Sequence, residues 1–334
     1  MSESDSQPEP AADAYLDSIR THAWRHEIPD EAVPWRDTAE MILGNERKML
    51  RWLATHWFSG LGSVVDAGCF AGRSTVCLAT GLRDNARAKD CAKPIIHAYD
   101  LFRVPRDAFS RDILGSEFPV GSSFRPVFER ATEAYSDLIA IHEGDLKAKR
   151  WNGSPIEILF VDVAKCWLTN QHIISEFFPH LISGQSIIIQ QDYNTPYVPW
   201  VHVAMEFLAE YMAFLCDEDG SKLFLLTKPI PAELLKRNLR TEIKTDHKIA
   251  LLDRAIAKWD PQSAACVAAS KAMLVFMEQG MQEGLACLEP LQDGFAGVPA
   301  AAGYFRDVRS MIEFWKVGAD LENDMTEKFE RETG

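Results

Sequence analysis

No apolar run in the 334-residue chain reaches the roughly 18 residues that a bilayer-crossing helix requires, so no membrane span is expected. No two of the seven cysteines (Cys69, Cys77, Cys91, Cys166, Cys216, Cys266 and Cys287) stand at CxxC spacing, and the count is odd. That argues against a disulfide framework or a zinc site and fits the reduced thiols of a cytoplasmic protein. Positive charge is scarce: 35 basic residues face 49 acidic ones, a formal net charge of −14. A general nucleic-acid or anionic-membrane surface needs positive charge, so neither partner is expected, although a local basic groove stays open. The opening MSESDSQPEPAADAY has no basic start and no apolar core, so it does not read as a signal peptide. Residues 1–14 are expected to form a disordered tail.

What is present is ordinary globular material, 47% apolar and 25% charged, long enough to bury a core without staples. Residues 36–59 carry apolar side chains at helical spacing, one or two helices. Strands follow at GSVVDAG (62–68), PIIHAYDLF (94–102), IAIHEGD (139–145), IEILFVDVAK (156–165), QSIIIQQDY (185–193) and KLFLLTK (222–228). Helical patterns lie between most of them, including one long helix from Pro199 to Leu215, and 103–123 reads as a long loop over a site. Strands alternating with helices imply a parallel sheet, and the unbroken apolar runs of the fourth and fifth strands imply burial on both faces. The expected fold is therefore α/β, a doubly wound and mostly parallel sheet over 15–228 with its N-terminal helices. A helical C-terminal region follows over 229–334. In its tail Met273, Phe276, Met277 and Met281 recur at helical spacing, as a helical core or as the face of a homodimer.

In such sheets ligands bind outside the carboxyl ends of the strands. Polar residues stand at each end: Asp66 to Gly72, Asp100, Gly144 and Asp145, Asp162 to Lys165, and Gln190 to Tyr193. The first turn, Asp66-Ala-Gly68-Cys-Phe70-Ala-Gly72, has glycines for a sharp turn and for the helix start, but Phe70 at its middle opposes the close backbone approach of a pyrophosphate. The segment resembles the Asp/Glu-x-Gly-x-x-x-Gly turn of Rossmann-like S-adenosylmethionine-dependent methyltransferases, and the aromatic middle residue resembles the catechol-type and macrocin-type O-methyltransferases. The resemblance covers about 60–228. It implies a cofactor site of Asp66, Gly68, Phe70, Gly72, Ser74, Asp100, Leu101, Phe102, Gly144, Asp145 and Asp162, with Asp66 near the methionine amine, Asp100 at the ribose hydroxyls and Asp145 at the adenine amino group.

The same resemblance implies the chemistry. Catechol-type enzymes end the fourth strand in a magnesium-binding acid with a basic lysine three residues on, the spacing of Asp162 and Lys165, and Asp192 matches their second metal acid. Two departures weaken the metal set: Tyr193 stands where the catechol type has Asn, and Gln191 where the macrocin type has a second acid. Mg²⁺ is accordingly an open expectation. Asp162 could instead cap a helix and Lys165 could be an ordinary ion-pair partner. His202 could face the cleft as an alternative base or be held in the packing. His172 lies on the helix after the fourth strand, and His142 is read as structural. Trp167, Tyr193, Tyr197 and Trp200 could line an acceptor pocket or pack under a lid. The expected activity is O-methylation of a hydroxyl on a small molecule, a sugar or secondary metabolite. The acidic chain and the missing Asn/Asp-Pro-Pro-aromatic motif speak against nucleic-acid and amide acceptors. The alternatives are a methyltransferase-fold scaffold working through its helical tail, and a nucleotide-dependent oxidoreductase, against which Phe70 argues.

Overall fold

The computed structural model describes residues 12–32, 42, 44–106, 108–115 and 117–314. Three helices precede the sheet: α1 (Ala12–Arg20), α2 (Trp24–Glu27) and α3 (Gly44–Trp52), the last running on through a π-helical turn, Leu53–Trp57. Then come β1 (Ser63–Ala67), α4 (Arg73–Asp84), β2 (Ile96–Asp100), α5 (Ala108–Leu114), α6 (Arg125–Thr132), β3 (Ile139–Glu143), β4 (Ile156–Val161), α7 (Trp167–Glu176), β5 (Ile187–Gln190), α8 (Pro199–Phe207), β6 (Met212–Glu218) and β7 (Ser221–Leu226). The C-terminal helices are α9 (Ala232–Leu235), α10 (Thr245–Lys258), α11 (Pro261–Gln279), α12 (Met281–Gly294) and α13 (Ala301–Phe314).

The seven strands lie in the order β3-β2-β1-β4-β5-β7-β6. The first five are parallel, and β7 runs antiparallel to both β5 and β6. The α/β doubly wound, mostly parallel sheet with a helical C-terminal region is thus the fold of this chain. Successive strand residues point to opposite faces, and the two faces have separate cores. Val65, Leu159, Val161, Ile188, Phe224 and Leu226 face one core. Val64, Ile158, Phe160, Ile187, Ile189, Leu223 and Leu225 face the other, with α3 and α4. This double burial is why β4 and β5 read as unbroken apolar runs.

Three expectations need correction. The helix predicted from Pro199 to Leu215 ends at Phe207, and Met212–Glu218 is the edge strand β6. The predicted loop 103–123 holds α5 and is closed at its base by a bridge between Arg103 and Ser123. Of the predicted disordered tail, residues 1–11 lie outside the described residues, and Ala12–Ala14 begin α1. Residues 36–41 and 43 of the N-terminal helical reading also lie outside them. The C-terminal helices share one buried core with the sheet. Met273 and Phe276 are buried in it, with Met277 and Met281 packed against it.

The approach to β1 is fixed by a buried carboxylate. Glu157, on β4, accepts the backbone N–H groups of Gly60 and Leu61 at 3.1 Å and Gly62 at 3.3 Å, together with that of Ser59. The Gln185 side chain donates to it at 2.7 Å. Removing that carboxylate strands several donors away from water, each at a cost of about 1–3 kcal/mol. Glu157→Ala is expected to lower the thermal midpoint by about 10 °C in a calorimetric melt. A midpoint within 2 °C of the parent, on the order of 1 kcal/mol, would show that water replaces the carboxylate there.

Candidate functional site

β1 and β2 are parallel neighbours in register, Asp66 opposite Ala98, so the turn after β1 and the end of β2 meet at the carboxyl edge. Asp100, the last residue of β2, holds that turn. Its Oδ2 accepts the Phe70 N–H at 2.9 Å and its Oδ1 accepts the Phe102 N–H at 2.7 Å. Phe70 and Phe102 both stand at positive φ, 43° and 53°, a conformation unfavourable for aromatic residues. The carboxylate holds both in place. Burial raises its pKa to about 6, and the backbone donors from Phe102, Phe70 and Leu101 pull the other way.

Gly68 is required by packing: a Cβ there would lie 2.5 Å from the Asp162 carbonyl oxygen, where β1 and β4 end side by side. Gly72 is required by α6, since its Cβ would come within 3.0 Å of the Phe128 ring. Both have φ near +95°. The helix start that the sequence assigned to Gly72 is thus also a close approach to α6.

Asp66 is fully buried. Its Oδ2 accepts from Ser74 at 2.9 Å and from Thr75 at 2.6 Å, while Oδ1 has no hydrogen-bond partner. Burial raises its pKa to about 6 against those two hydroxyls. An orphaned, buried acceptor is costly, and Ser74, which donates to Asp66, lines a small hollow together with Ile42, Gly68, Phe70 and Asp162 among others. A ligand offering cationic or N–H donors fits this edge. Of the other expected cofactor residues, Phe102 is fully buried and packs against Phe124 and Phe128. Its side chain is taken up by that packing, where the sequence reading set it in the cofactor site. Asp145 accepts the Lys147 N–H at 2.9 Å beyond Gly144, which has a φ of 112°.

The second cluster joins the ends of β4 and β5. Lys165 Nζ donates to Asp162 Oδ1 at 2.8 Å and also to Asp192 Oδ2. With its amide nitrogen turned toward them, Gln191 donates to Asp162 Oδ1 at 3.0 Å and Asp192 Oδ1 at 3.1 Å. Burial acts to lower the Lys165 pKa, but the two carboxylates outweigh it and hold the group above its ordinary value. Burial raises Asp162, with Lys165 pulling it down and Asp192 pushing it up. Two carboxylates sharing one ammonium retain a proton more readily than either would alone. The expectation of Lys165 as the base meets a contrary geometry: its ammonium is paired with two carboxylates, Asp162 and Asp192, which favours the charged form.

The same geometry bears on Mg²⁺. Among the described residues no group of three or more His, Cys, Asp or Glu gathers as a metal site. The two candidate acids, Asp162 and Asp192, already share an ammonium, so the donor set does not fit the ion.

His202 is fully buried, with Nδ1 at 2.9 Å from Ser270 Oγ and Nε2 at 2.6 Å from the Tyr193 carbonyl. Both nitrogens are engaged away from the cleft and burial holds its pKa near 4, which rules it out as the alternative base. Trp167, Tyr193 and Trp200 are core residues, leaving Tyr197, 40% exposed, as the one of the proposed aromatic wall at the surface. His142 pairs with His97 at 3.0 Å inside the sheet.

The sequence reading missed Glu46. It is buried in the first turn of α3, where Ser221 donates to its carboxyl. Burial raises it to about 8, with Asp162, Asp219 and Asp192 adding to the rise against the Ser221 bond. A lone acid in a helix that precedes β1 carries no local signal of this neighbourhood.

No helix among the described residues is long and apolar enough to cross a membrane, and the seven cysteines are free thiols. No family model matches the chain, and no curated protein matches it. Solved structures give distant likenesses. One is the O-methyltransferase NovP, at 14% identity, covering 65% of this chain and 100% of that one, with a TM-score of 0.43. Another is CalS11, a calicheamicin methyltransferase, at 14% identity, covering 68% and 99%, with a TM-score of 0.40. A third is coclaurine N-methyltransferase bound to N-methylheliamine and SAH, at 12% identity, covering 81% and 85%, with a TM-score of 0.26. These are remote likenesses of fold, and none of them assigns a ligand to this chain.

Proposed function

We propose that this chain is an S-adenosylmethionine-dependent methyltransferase acting on a hydroxyl of a small molecule, a sugar or secondary metabolite. The observation that carries the reading is the turn Asp66–Gly72, held by Asp100 at the carboxyl edge of β1 and β2, with the buried Asp66 Oδ1 lacking a hydrogen-bond partner. Asp66 and Asp100 would hold the cofactor. When bound, it supplies an electrophilic methyl group on a sulfonium.

The chain supplies placement and charge. An acceptor hydroxyl beside Asp162 gives up its proton to that carboxylate, whose raised pKa suits it to the task. The Lys165 ammonium stabilises negative charge developing on the acceptor oxygen. Alignment of acceptor and methyl accounts for the rest of the acceleration.

Transfer of a labelled methyl group to a panel of sugars and phenols tests the reading. One or more acceptors should be labelled, and Asp162→Asn should cut the rate by at least about a hundredfold while leaving cofactor affinity within a few-fold. An undiminished rate in Asp162→Asn would remove Asp162 as proton acceptor. The tight pairing of Lys165 with both acids favours one second reading, a binding protein on this fold. Cofactor affinity with no labelled acceptor would support it.

A further inference from the structure

At the other end of the sheet, beside β6, a cavity of about 180 Å³ lies between the strands and α8 and α10. It shares no lining residue with the hollow at the cofactor turn. Four rings wall it, Tyr193, Phe214, Phe224 and Trp259, with Phe214 edge-on to Trp259 at 4.8 Å. Trp259 stands edge-on to Phe224, with centroids 6.4 Å apart, and to Tyr193 at 5.8 Å, its Nε1–H donating to the Tyr193 hydroxyl at 3.0 Å. Met205 and Met212 supply adaptable thioethers and Ala209 leaves the space open. For scale, a dry apolar cavity of about 150 Å³ accepts benzene.

Two lysines stand nearby, and their surroundings separate their roles. Lys222 is fully buried and committed: it donates to Ser263 at 2.9 Å and to Asp217, and its Nζ lies 4.4 Å from the Trp259 ring centroid. Lys258 stands at the mouth with its side chain 38% exposed, beside Phe214, which is 39% exposed. Lys258 pairs with Glu206, but Glu206 also accepts from Arg254 Nε at 3.1 Å. If Lys258 turns to a ligand, Glu206 keeps a cationic partner. Lys258 also lies over the Trp259 ring, its Nζ 4.7 Å from the centroid, so it is already at the aromatic wall and, being partly exposed, turns to a ligand at less cost than the fully buried Lys222.

We propose that this cavity binds a small aromatic carboxylate, its ring against the wall formed by Tyr193, Phe214, Phe224 and Trp259 and its carboxylate on Lys258. Edge-on rings and thioethers favour a flat aromatic guest, and an ammonium at an apolar rim favours an anion. The site is independent of the methyltransferase reading, since no residue of the cofactor turn enters it.

The test is a titration of the full chain with 4-fluorobenzoate, followed by fluorine NMR and tryptophan fluorescence. Saturable binding is expected with a dissociation constant of about 1 mM or tighter, within the range open to so small a ligand. Lys258→Gln should weaken it about tenfold, while benzyl alcohol should bind parent and variant alike, which also shows that the variant is folded. Ala209→Phe, which fills the cavity, should abolish binding of both. No saturable binding to the parent chain would overturn the proposal. So would binding that survives Ala209→Phe, or that is indifferent to Lys258→Gln.

Discussion

Asp100→Ala is expected to weaken S-adenosylhomocysteine binding by at least about a hundredfold, because two charge-assisted hydrogen bonds worth about 1.5–3 kcal/mol each disappear together. The bonds run to the N–H groups of Phe70 and Phe102, and both residues sit at positive φ. Without the carboxylate the turn has no reason to keep that shape. Asp100→Asn keeps one oxygen acceptor but sets an amide N–H against the other donor, so its loss should be intermediate. A pH dependence follows from the folded-state pKa of about 6. Below that value the protonated carboxyl is a poorer acceptor, and affinity should fall as pH drops through 6. Stability behaves oppositely. The pKa is raised above its unfolded value, so the native state holds the extra proton, and this contribution is lost as pH rises from about 4 to 6. Calorimetric titrations at pH 5 and 8 check the affinity, and thermal melts across pH 4 to 6 check the stability. Undiminished affinity in Asp100→Ala would sink the assignment.

Lys165→Met is expected to do the largest damage to turnover, about a thousandfold, since the one cation between two acids is lost. It should also destabilise the fold. Asp162 and Asp192 would then lose the ammonium they share and keep the Gln191 amide as a neutral donor, at a cost of about 2–3 kcal/mol after allowance for their partial exposure. The pH profile identifies the cause. Without the ammonium, Asp162 rises further above its unfolded value, so the native variant binds more protons than the unfolded chain and loses stability as pH rises. Melts should show the variant closest to the parent near pH 5 and furthest from it near pH 8. A deficit that does not change with pH would mean that packing of the lysine stem is the cause.

Much of this was legible from residue order. The five parallel strands and β7 read directly, because each is buried on both faces or ends in a polar turn. Asp66, Asp100 and Asp162 could be placed at the carboxyl edge for the same reason. β6 did not read, because Met205, Leu208, Met212 and Leu215 keep helical spacing straight through the break at Leu208. A usable signal stood just beyond it: Asp219-Gly220 joins β6 to β7, and that dipeptide marks a tight hairpin. The spacing of Lys165 from Asp162 was local and visible. Its second partner, Asp192, is 27 residues away and arrives only because β4 and β5 are neighbours, and that second carboxylate favours the charged form of the lysine. His202 was ambiguous for the same reason: Ser270, which engages its Nδ1, lies 68 residues on.

The central claim is that the turn after β1 holds S-adenosylmethionine. Its most direct test is a calorimetric titration of the full chain with S-adenosylhomocysteine, run with and without Mg²⁺ and beside NAD. One equivalent bound with micromolar affinity, unchanged by Mg²⁺ and absent for NAD, is the predicted result. No heat of binding for S-adenosylhomocysteine up to millimolar concentration, or saturable binding of NAD in its place, would contradict it.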